Sequence, residues 1–263
     1  PCPPLYFRYL CRPEMGMHGI IGCGWLGRLI AAELLLQEKA CCVSTRSGNA
    51  LWDERIQVYK YALPEDELPT VFNTCEHLFV CISPGRNRIA FPGVIHQLCF
   101  SLRHLPLDTK VVFCSSISVY SRGGICHEQT PVKEDDPLLL AEKKIQSLAQ
   151  PVLILRLGGL YGEGRHPAHF FKDNQAGGAG TFTNLIEGKT AVKAMFHLLN
   201  KNETGIFNLV ETTHEKKEIF YGRLREKEKL PPVLFSETEK ERKVISAGKL
   251  LKTGFDPGSD LFF

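Results

Sequence analysis

The sequence predicts an α/β protein built on a doubly wound parallel sheet, with a small C-terminal α/β lobe. Two patterns predict this fold class: short apolar strands alternate with helical segments as far as residue 162, and a glycine turn joins the first strand to the first helix. Parallel strands need helical crossovers, and those helices cover both faces of the sheet. We therefore expect six or seven parallel strands.

The predicted elements follow from apolar runs and from the residues that bound them. The helix after the glycine turn is apolar around most of its surface, as expected for a helix that packs on a sheet. Strands are predicted at 18–21, 40–47, 55–63, 77–85, 109–121, 151–162 and 205–211, and helices at 25–37, 89–105, 138–149 and 189–200.

Composition argues against several function classes. A formal net charge of +3 on 263 residues gives no reason to expect nucleic acid or an anionic membrane surface as a partner. No apolar run is long enough to span a bilayer. The ten cysteines form no CxxC pair, and neither they nor the histidines show zinc spacing. We therefore expect no metal site, and we expect a reducing, cytoplasmic compartment.

The motif GCGWLG contains Gly22, Gly24 and Gly27 between a strand and a helix. In that context the first glycine makes the tight turn, the second lets the backbone approach a pyrophosphate, and the third lets helix and strand pack closely. The helix N-terminus offers N–H groups and a positive dipole end to phosphates. The turn predicts a Rossmann dinucleotide-binding site, although a purely structural glycine turn would have the same pattern.

The end of the second strand selects the nucleotide. An acidic residue there would bind the ribose 2′-hydroxyl of NAD, but this chain has Thr45, Arg46 and Ser47, with no acid before Asp53. Because a guanidinium suits a 2′-phosphate, the sequence favours NADP over NAD, unless Arg46 is only a solvated surface residue. Other predicted cofactor contacts lie at the helix start and at the ends of later strands: Trp25, Leu26, Ile82, Ser83, Pro84 and Ser115.

Four later segments carry a family resemblance. CSSISVYS (114–121), RLGGLYGEGRHP (156–167), TNLIEGKTAVKAMFHLL (183–199) and GIFNLVE (205–211) stand in the order typical of one family. Together they resemble the extended short-chain dehydrogenase/reductases, in the NAD-dependent epimerase/dehydratase branch, and the resemblance covers about residues 17–256. It implies a dinucleotide-binding domain over 17–162 and a smaller substrate-side lobe over 163–263. Residues 1–16 are expected to be a disordered extension.

The resemblance carries over unevenly to the catalytic residues. It implies that Ser116 polarises a substrate oxygen, although a serine at a strand end can also serve only to satisfy backbone groups. The family's Tyr and Lys do not carry over: aligning Glu142 with a family Glu puts Leu138 at the Lys position and Glu134 at the Tyr position. Neither residue can carry the proton, so the proton carrier stays unidentified.

The substrate candidates follow the fifth and sixth strands. Tyr120 is expected in the pocket wall, and Tyr161, Arg165 and His166 are expected at the carboxyl edge of the sheet, where open α/β sheets place ligands. Arg165 could clamp an anionic substrate, since a guanidinium binds carboxylate or phosphate through two hydrogen bonds. His166 precedes Pro167, so a role in a turn competes with acid–base chemistry.

Two functions from different classes therefore stay open. The first is an oxidoreductase or epimerase that uses NADP on a small polar substrate such as a nucleotide sugar. The second is a non-catalytic NADP-binding redox sensor or regulatory protein. The missing Tyr and Lys favour the second, and the retained segment YGEGRHP favours the first. In either case we expect a small-molecule ligand, and a homodimer is compatible with the sequence.

Overall fold

The computed structural model describes residues 16–49, 52–85, 87–121, 123–178, 180–236 and 243–257. The predicted extension lies outside the described residues except for Gly16. Within them, no helix is long and apolar enough to cross a membrane. The helices of the described part are α1 (Trp25–Leu36), α2 (Phe91–Leu102), α3 (Pro137–Gln146), α4 (Gly188–Asn200), α5 (Lys217–Lys227) and α6 (Gly248–Leu251).

The described strands divide into one large sheet and three short pairs. In chain order they are β1 (Met17–Ile21), β2 (Cys41–Thr45), β3 (Gln57–Lys60), β4 (Cys75–Val80), β5 (Lys110–Ser116), β6 (Gly124–Cys126), β7 (Val152–Leu157), β8 (Gly159–Tyr161), β9 (Gln175–Gly177), β10 (Leu185–Glu187), β11 (Gly205–Leu209), β12 (Leu234–Ser236) and β13 (Lys243–Ile245).

The large sheet confirms the predicted fold class. It has seven parallel strands in the order β11-β7-β5-β4-β1-β2-β3. Apart from the edge strand β3, its strands are mostly buried, as expected when helices cover both faces. The predicted strand and helix positions are met within a few residues at each end.

The order of strands places a switch point at β1. The chain goes from β1 to β2 on one side, and β4 returns to the other side of β1, with Gly19 opposite Cys42 and Leu78. In open α/β sheets, ligands bind outside the carboxyl ends of the strands at such a point. The glycine turn follows β1 directly and so lies where the topology favours a ligand.

The chain forms two compact units. The first contains the described residues up to Ile82 together with Gln97–Val112 and Leu148–Pro151. The second contains Ser83–His96, Phe113–Ser147 and the described residues from Val152 onward. The first unit carries the glycine turn, and the second carries every predicted substrate residue. The domain boundary predicted at residue 162 stays a prediction.

One predicted strand is divided in two by glycines. The sequence predicts a single strand over 151–162, whereas β7 ends at Leu157 and β8 begins at Gly159. A Cβ on Gly158 would lie 2.9 Å from the carbonyl oxygen of Asn184, so only glycine fits there. At this point the chain leaves β11 and pairs in parallel with β10. This change of partner is a tertiary effect that apolar periodicity does not encode.

Candidate functional site

The turn after β1 uses its first glycine for backbone conformation. Gly22 has φ +86°, a left-handed conformation that favours glycine. Its N–H donates to Ser44 Oγ over 3.1 Å, which fixes the turn against the end of β2. A Cβ on Gly22 would lie 2.8 Å from Ile82 Cγ2, so Ile82, a predicted cofactor residue, packs against the turn.

The third glycine allows α1 to approach β1. A Cβ on Gly27 would lie 3.0 Å from the carbonyl oxygen of Gly22 and 3.2 Å from Ile20 Cγ2. Gly27 and its neighbour Leu26 are both buried. Any larger residue at 27 would push the helix away from the strand, so the close packing expected of this position is present.

The second glycine faces open space. Gly24 is exposed and is the N-cap of α1, where it has no side chain that could cap the helix. Of the described residues, none places an atom within 4 Å of a Cβ built on Gly24. The half-buried Trp25 begins the helix beside it. Backbone N–H groups at a helix N-terminus with open space in front of them form a site that fits a pyrophosphate.

The end of β2 carries the expected cation. Arg46 is exposed and forms no ion pair with any described residue, while Thr45 Oγ1 accepts the N–H of Gly48 over 2.9 Å. Ser47 is exposed beside it. Lys60 was missed by sequence reasoning, although it pairs with Thr45 in register. A Cβ on Gly48 would lie 3.0 Å from Lys60 Cβ, so two cations flank the end of β2.

Ser83 and Pro84 lie in the second unit, in the segment that follows β4. Ser83 is exposed and Pro84 is half-buried. Both stay candidates for contact with the cofactor.

A buried polar network occupies the second unit behind the strand ends. Glu142 is 0% exposed and accepts hydrogen bonds from Ser115 Oγ at 2.5 Å and from Arg156 Nη2 at 2.7 Å. Arg156 is 2% exposed, and its Nη1 donates to Tyr120 Oη over 2.8 Å. The hydroxyl of Tyr120 in turn donates to Asn208 Oδ1 over 2.8 Å. Each of these polar groups has a partner inside the network.

This network bears on two predicted site residues. Ser115, expected near the cofactor, is 5% exposed and has its hydroxyl directed to Glu142. Tyr120, expected in the pocket wall, is 2% exposed and has its hydroxyl engaged by Arg156 and Asn208. Burial and the hydrogen bonds of Arg156 both act on this phenol, and burial dominates, so the pKa of Tyr120 is raised. Both residues are better placed to fix the end of β5 than to contact a ligand.

Helix α3 has no catalytic pair at the positions that the alignment assigns. Leu138, at the Lys position, is 3% exposed and packs in the core, and its N–H is capped by Asp136 Oδ1 over 2.8 Å. Glu134, at the Tyr position, is exposed and pairs with Lys143. An apolar side chain and an exposed carboxylate cannot replace a phenol and an ammonium, so the structure agrees that this chemistry does not carry over.

Ser116, the predicted catalytic residue, stands at the last position of β5. It is half-buried, and its Oγ accepts the N–H of Ser118 over 3.2 Å. Accepting that bond does not use the hydroxyl hydrogen, so Ser116 can still donate to a substrate oxygen. Lys243 Nζ donates to the carbonyl oxygens of Ile117 and Tyr120 and holds the short turn after Ser116 in place.

A second candidate group lies after β11. Tyr161 is 1% exposed, and its hydroxyl donates to the half-buried carboxylate of Glu211. The N–H of Glu187 donates to the same carboxylate over 3.2 Å. Burial raises the pKa of Glu211, against the lowering effect of these two bonds. A carboxyl group with a raised pKa suits proton transfer better than an ordinary one. Sequence reasoning missed Glu211 because it treated this residue only as the last position of the predicted strand 205–211.

Arg165 and His166 lie in the loop after β8. Arg165 is exposed, its Nε donates to the carbonyl oxygen of Leu160 over 2.8 Å, and its guanidinium lies 5.6 Å from the centre of the Phe170 ring. Binding of an anion by the guanidinium of Arg165 stays a prediction. His166 is half-buried, and its ring contacts that of His169 with centroids 5.9 Å apart. His166 also precedes a 3₁₀ turn at Pro167–His169, and its acid–base role stays a prediction.

Comparison by sequence finds one kind of relative. No protein-family model matches the chain. Protein YeeZ of Escherichia coli K12 is 28% identical over 232 residues, which are 78% of this chain and 81% of YeeZ. The similarity therefore extends over both compact units.

Comparison of structures identifies the fold. MoeE5, solved in complex with UDP-glucose and NAD, superposes with a TM-score of 0.77 at 16% identity and covers 94% of this chain and 95% of its own. The UDP-glucuronic acid 4-epimerase from Bacillus cereus, in complex with NAD, gives 0.76 at 15% identity and covers 93% and 94%. The predicted resemblance is therefore confirmed at the level of the fold: this chain has the fold of the extended short-chain dehydrogenase/reductases of the NAD-dependent epimerase/dehydratase branch.

Proposed function

We propose that the chain binds NADP at the glycine turn and acts as an epimerase/dehydratase-like oxidoreductase on a small polar substrate of the nucleotide-sugar class. The observation that carries this proposal is the open space in front of Gly24, beside a turn whose other two glycines are required by conformation and by packing. Solved structures with the same fold are complexes with NAD and with UDP-glucose, which supports both ligand classes.

The choice of NADP over NAD follows from charge. Arg46 and Lys60 flank the end of β2, and in the described residues no carboxylate of β2 or β3 accompanies them. A 2′-phosphate would gain charge-assisted hydrogen bonds from these cations, whereas the 2′-hydroxyl of NAD would gain no acceptor. Thr45 and Ser47 supply hydroxyl groups for the ribose at the same place.

On the substrate side the proposal assigns roles within the second unit. NADP supplies a hydride acceptor when bound. Ser116 donates a hydrogen bond to the substrate oxygen at the reacting carbon. When the substrate hydroxyl is oxidised to a carbonyl with NADP as the hydride acceptor, the carboxylate of Glu211 would accept the hydroxyl proton. Arg165 binds an anionic group of the substrate.

Binding tests the first half of the proposal. Gly24→Val places a branched side chain in the space assigned to the pyrophosphate. Its Cβ would meet open space apart from its chain neighbours and its own helix, so the variant should leave the fold intact. We expect NADPH affinity to fall by at least about tenfold, or ~1.4 kcal/mol, in calorimetric titrations. The matched control is Gly93→Val, at an equally open, exposed position in α2. Equal affinity in wild type and Gly24→Val would place the nucleotide elsewhere.

The second candidate function is a non-catalytic NADP-binding protein. It is favoured by the buried Leu138 and the exposed Glu134 at the positions of the family's Lys and Tyr. Incubation with UDP-glucose or UDP-glucuronic acid and NADP, followed by absorbance of NADPH and by separation of the sugar products, distinguishes the two. Turnover that Ser116→Ala and Glu211→Gln both reduce supports the enzyme. NADPH binding without turnover over such a panel supports the sensor.

A further inference from the structure

A pair of histidines lies in the first unit at the end of the strands opposite the glycine turn. His18 is the second residue of β1 and His77 the third of β4, and the two are paired in register on neighbouring strands. Their Nδ1 atoms are 3.2 Å apart. His18 is 2% exposed, and the His77 side chain is 16% exposed. Neither residue has a role in the proposed function.

A β-bulge brings a carboxylate to the same place. The register between β1 and β4 shifts between Met17 and His18, so that Met17 faces Cys75, His18 faces His77, and Glu76 is the extra residue. A regular strand would point Glu76 and His77 to opposite faces, whereas a bulge redirects a side chain. The Nε2 atom of His77 lies 3.8 Å from Glu76 Oε1. One ligand atom from each of the three residues lies within 4.8 Å of the other two.

Gly16, the residue before β1, lies against this carboxylate. A Cβ on Gly16 would lie 3.0 Å from Glu76 Cβ and would clash with its Oε2 atom. The carboxyl group of Glu76 therefore packs directly over the backbone at Gly16. The bulge places this carboxylate beside two imidazoles.

We propose that His18, His77 and Glu76 form a binding site for a divalent transition metal ion of the zinc type. Two imidazoles and one carboxylate are a ligand set that zinc uses, with a water in the open fourth position. Two nitrogen ligands on a tetrahedral zinc, each about 2.0–2.1 Å from the ion, stand roughly 3.3 Å apart, close to the 3.2 Å observed here. The Glu76 side chain is 57% exposed, so the open position faces solvent.

The charge around the site narrows the class of metal. Lys39 and Lys110 lie close enough to act electrostatically on the imidazole of His77. These ammonium groups oppose cations that are held by charge, such as Mg²⁺ and Ca²⁺. They favour ions that gain most of their affinity from imidazole coordination.

The side chains have to move to share an ion, because His77 meets His18 with Nδ1 and Glu76 with Nε2. The two imidazole rings are 20° from parallel, with centroids 5.0 Å apart. Rotation about χ2, a broad torsion in histidine, aims both lone pairs at one point. Bound metal would fasten the start of β1 to the start of β4. Zinc spacing in the sequence could not reveal this site, because its ligands are 59 residues apart.

Cobalt(II) titration of the metal-free protein tests the site, because tetrahedral Co²⁺ is visible by absorbance. We expect one equivalent to bind, zinc to displace it, and Mg²⁺ and Ca²⁺ to have no effect. His77→Gln and Glu76→Gln should each weaken binding by at least about tenfold, the smaller end of what removal of supporting groups at metal sites costs. Glu76 is exposed, so its variant keeps the test valid if His77→Gln unfolds.

Two controls separate this site from other ligands. His169→Gln removes a member of the other described cluster, His166, His169 and Glu228, and should bind like wild type. A metal–thiolate charge-transfer band would show that cysteines hold the ion instead, and it would overturn the proposal. So would a wild type without binding, or equal affinity in wild type and both variants. NADPH titration of the metal-free protein keeps this result separate from the proposed function.

Discussion

The glycine turn of the first unit lacks side chains at its glycines, whereas the polar network of the second unit consists of buried side chains that bond one another. At the turn, side chains are absent: Gly24 leaves open space, while Gly22 and Gly27 permit a conformation and a close approach. In the network, Ser115, Glu142 and Arg156 are buried and satisfy one another. The glycine turn keeps a surface available for a ligand, whereas the network holds its charged groups in the core, away from a ligand. A chain can therefore preserve the shape that binds a nucleotide while the residues behind the substrate side become structural.

The network should dominate the stability of the second unit. Removing one partner of a buried ion pair leaves the other charge unpaired in the core, and this costs about 3–5 kcal/mol. We expect Arg156→Met to lower the free energy of unfolding by that amount in urea titrations, because Glu142 is 0% exposed. Glu142→Leu combined with Arg156→Met should recover most of the loss, since neither charge is then buried.

The matched control is the exposed pair of Lys143 and Glu134 on and before α3. Lys143→Ala should cost less than about 1 kcal/mol, as is usual for exposed ion pairs. Similar losses for Arg156→Met and Lys143→Ala would show that the buried network is not what stabilises this unit.

Local pattern was sufficient to predict most of the fold. Each main strand is a short apolar run with a clear boundary, and each crossover helix has its own periodicity, so both elements and class follow from neighbouring residues. The division at Gly158 was missed because it depends on a contact with Asn184, 26 positions away by residue number. Contacts of that range are not encoded in a window of sequence.

The parts of the candidate site that lie within one short motif could be predicted from the sequence. The parts that tertiary structure brings together from distant segments could not. The roles of Gly22 and Gly27 follow from a motif six residues long, and their geometry matches it. Lys60 reaches the site only through the register of β3 on β2, and Glu76 joins His77 only through a bulge. Tyr120 and Ser115 were expected to face ligands because they lie at a strand end. Their hydroxyls donate to Asn208 and Glu142, and their contact with a ligand stays a prediction.

The next largest expected effect is on cofactor selectivity, and it tests the nucleotide site at the glycine turn. A guanidinium contact with a 2′-phosphate is worth roughly 1.5–3 kcal/mol, or about one to two decades in affinity. Arg46→Ala should therefore weaken NADPH by that factor and leave NADH nearly unchanged. Arg46→Asp should reverse the preference, because a carboxylate repels the phosphate and accepts a bond from a free 2′-hydroxyl. Fluorescence titration of both nucleotides measures this.

The same titrations of NADPH and NADH with Lys60→Ala separate the contribution of Lys60 from that of Arg46. Lys60 is exposed like Arg46, so its contribution should be smaller than that of the bidentate guanidinium and should shrink at high salt. Equal losses of NADPH and NADH affinity in Arg46→Ala, or a wild type that prefers NADH, would contradict the assignment of NADP.

The smallest expected effect concerns Glu211, the one carboxyl group on the substrate side with a raised pKa among those described here. Burial is the main cause, and Tyr161, Glu187 and His214 are the groups that face it. Because the folded pKa lies above the ordinary 4.5, the folded state binds the proton more tightly, and this contribution to stability is lost as pH rises through the folded value.

Glu211→Gln cannot titrate but keeps an oxygen that accepts from Tyr161 Oη and from the N–H of Glu187. Unfolding midpoints in urea, measured from pH 4.5 upward, should therefore fall less steeply in Glu211→Gln than in wild type, and the variant should gain stability relative to wild type toward neutral pH. Glu226→Gln removes an exposed negative charge from the same unit and controls for net charge. Parallel curves for wild type and Glu211→Gln would mean that the fold does not hold this proton, and Glu211 would then lose its place as proton carrier.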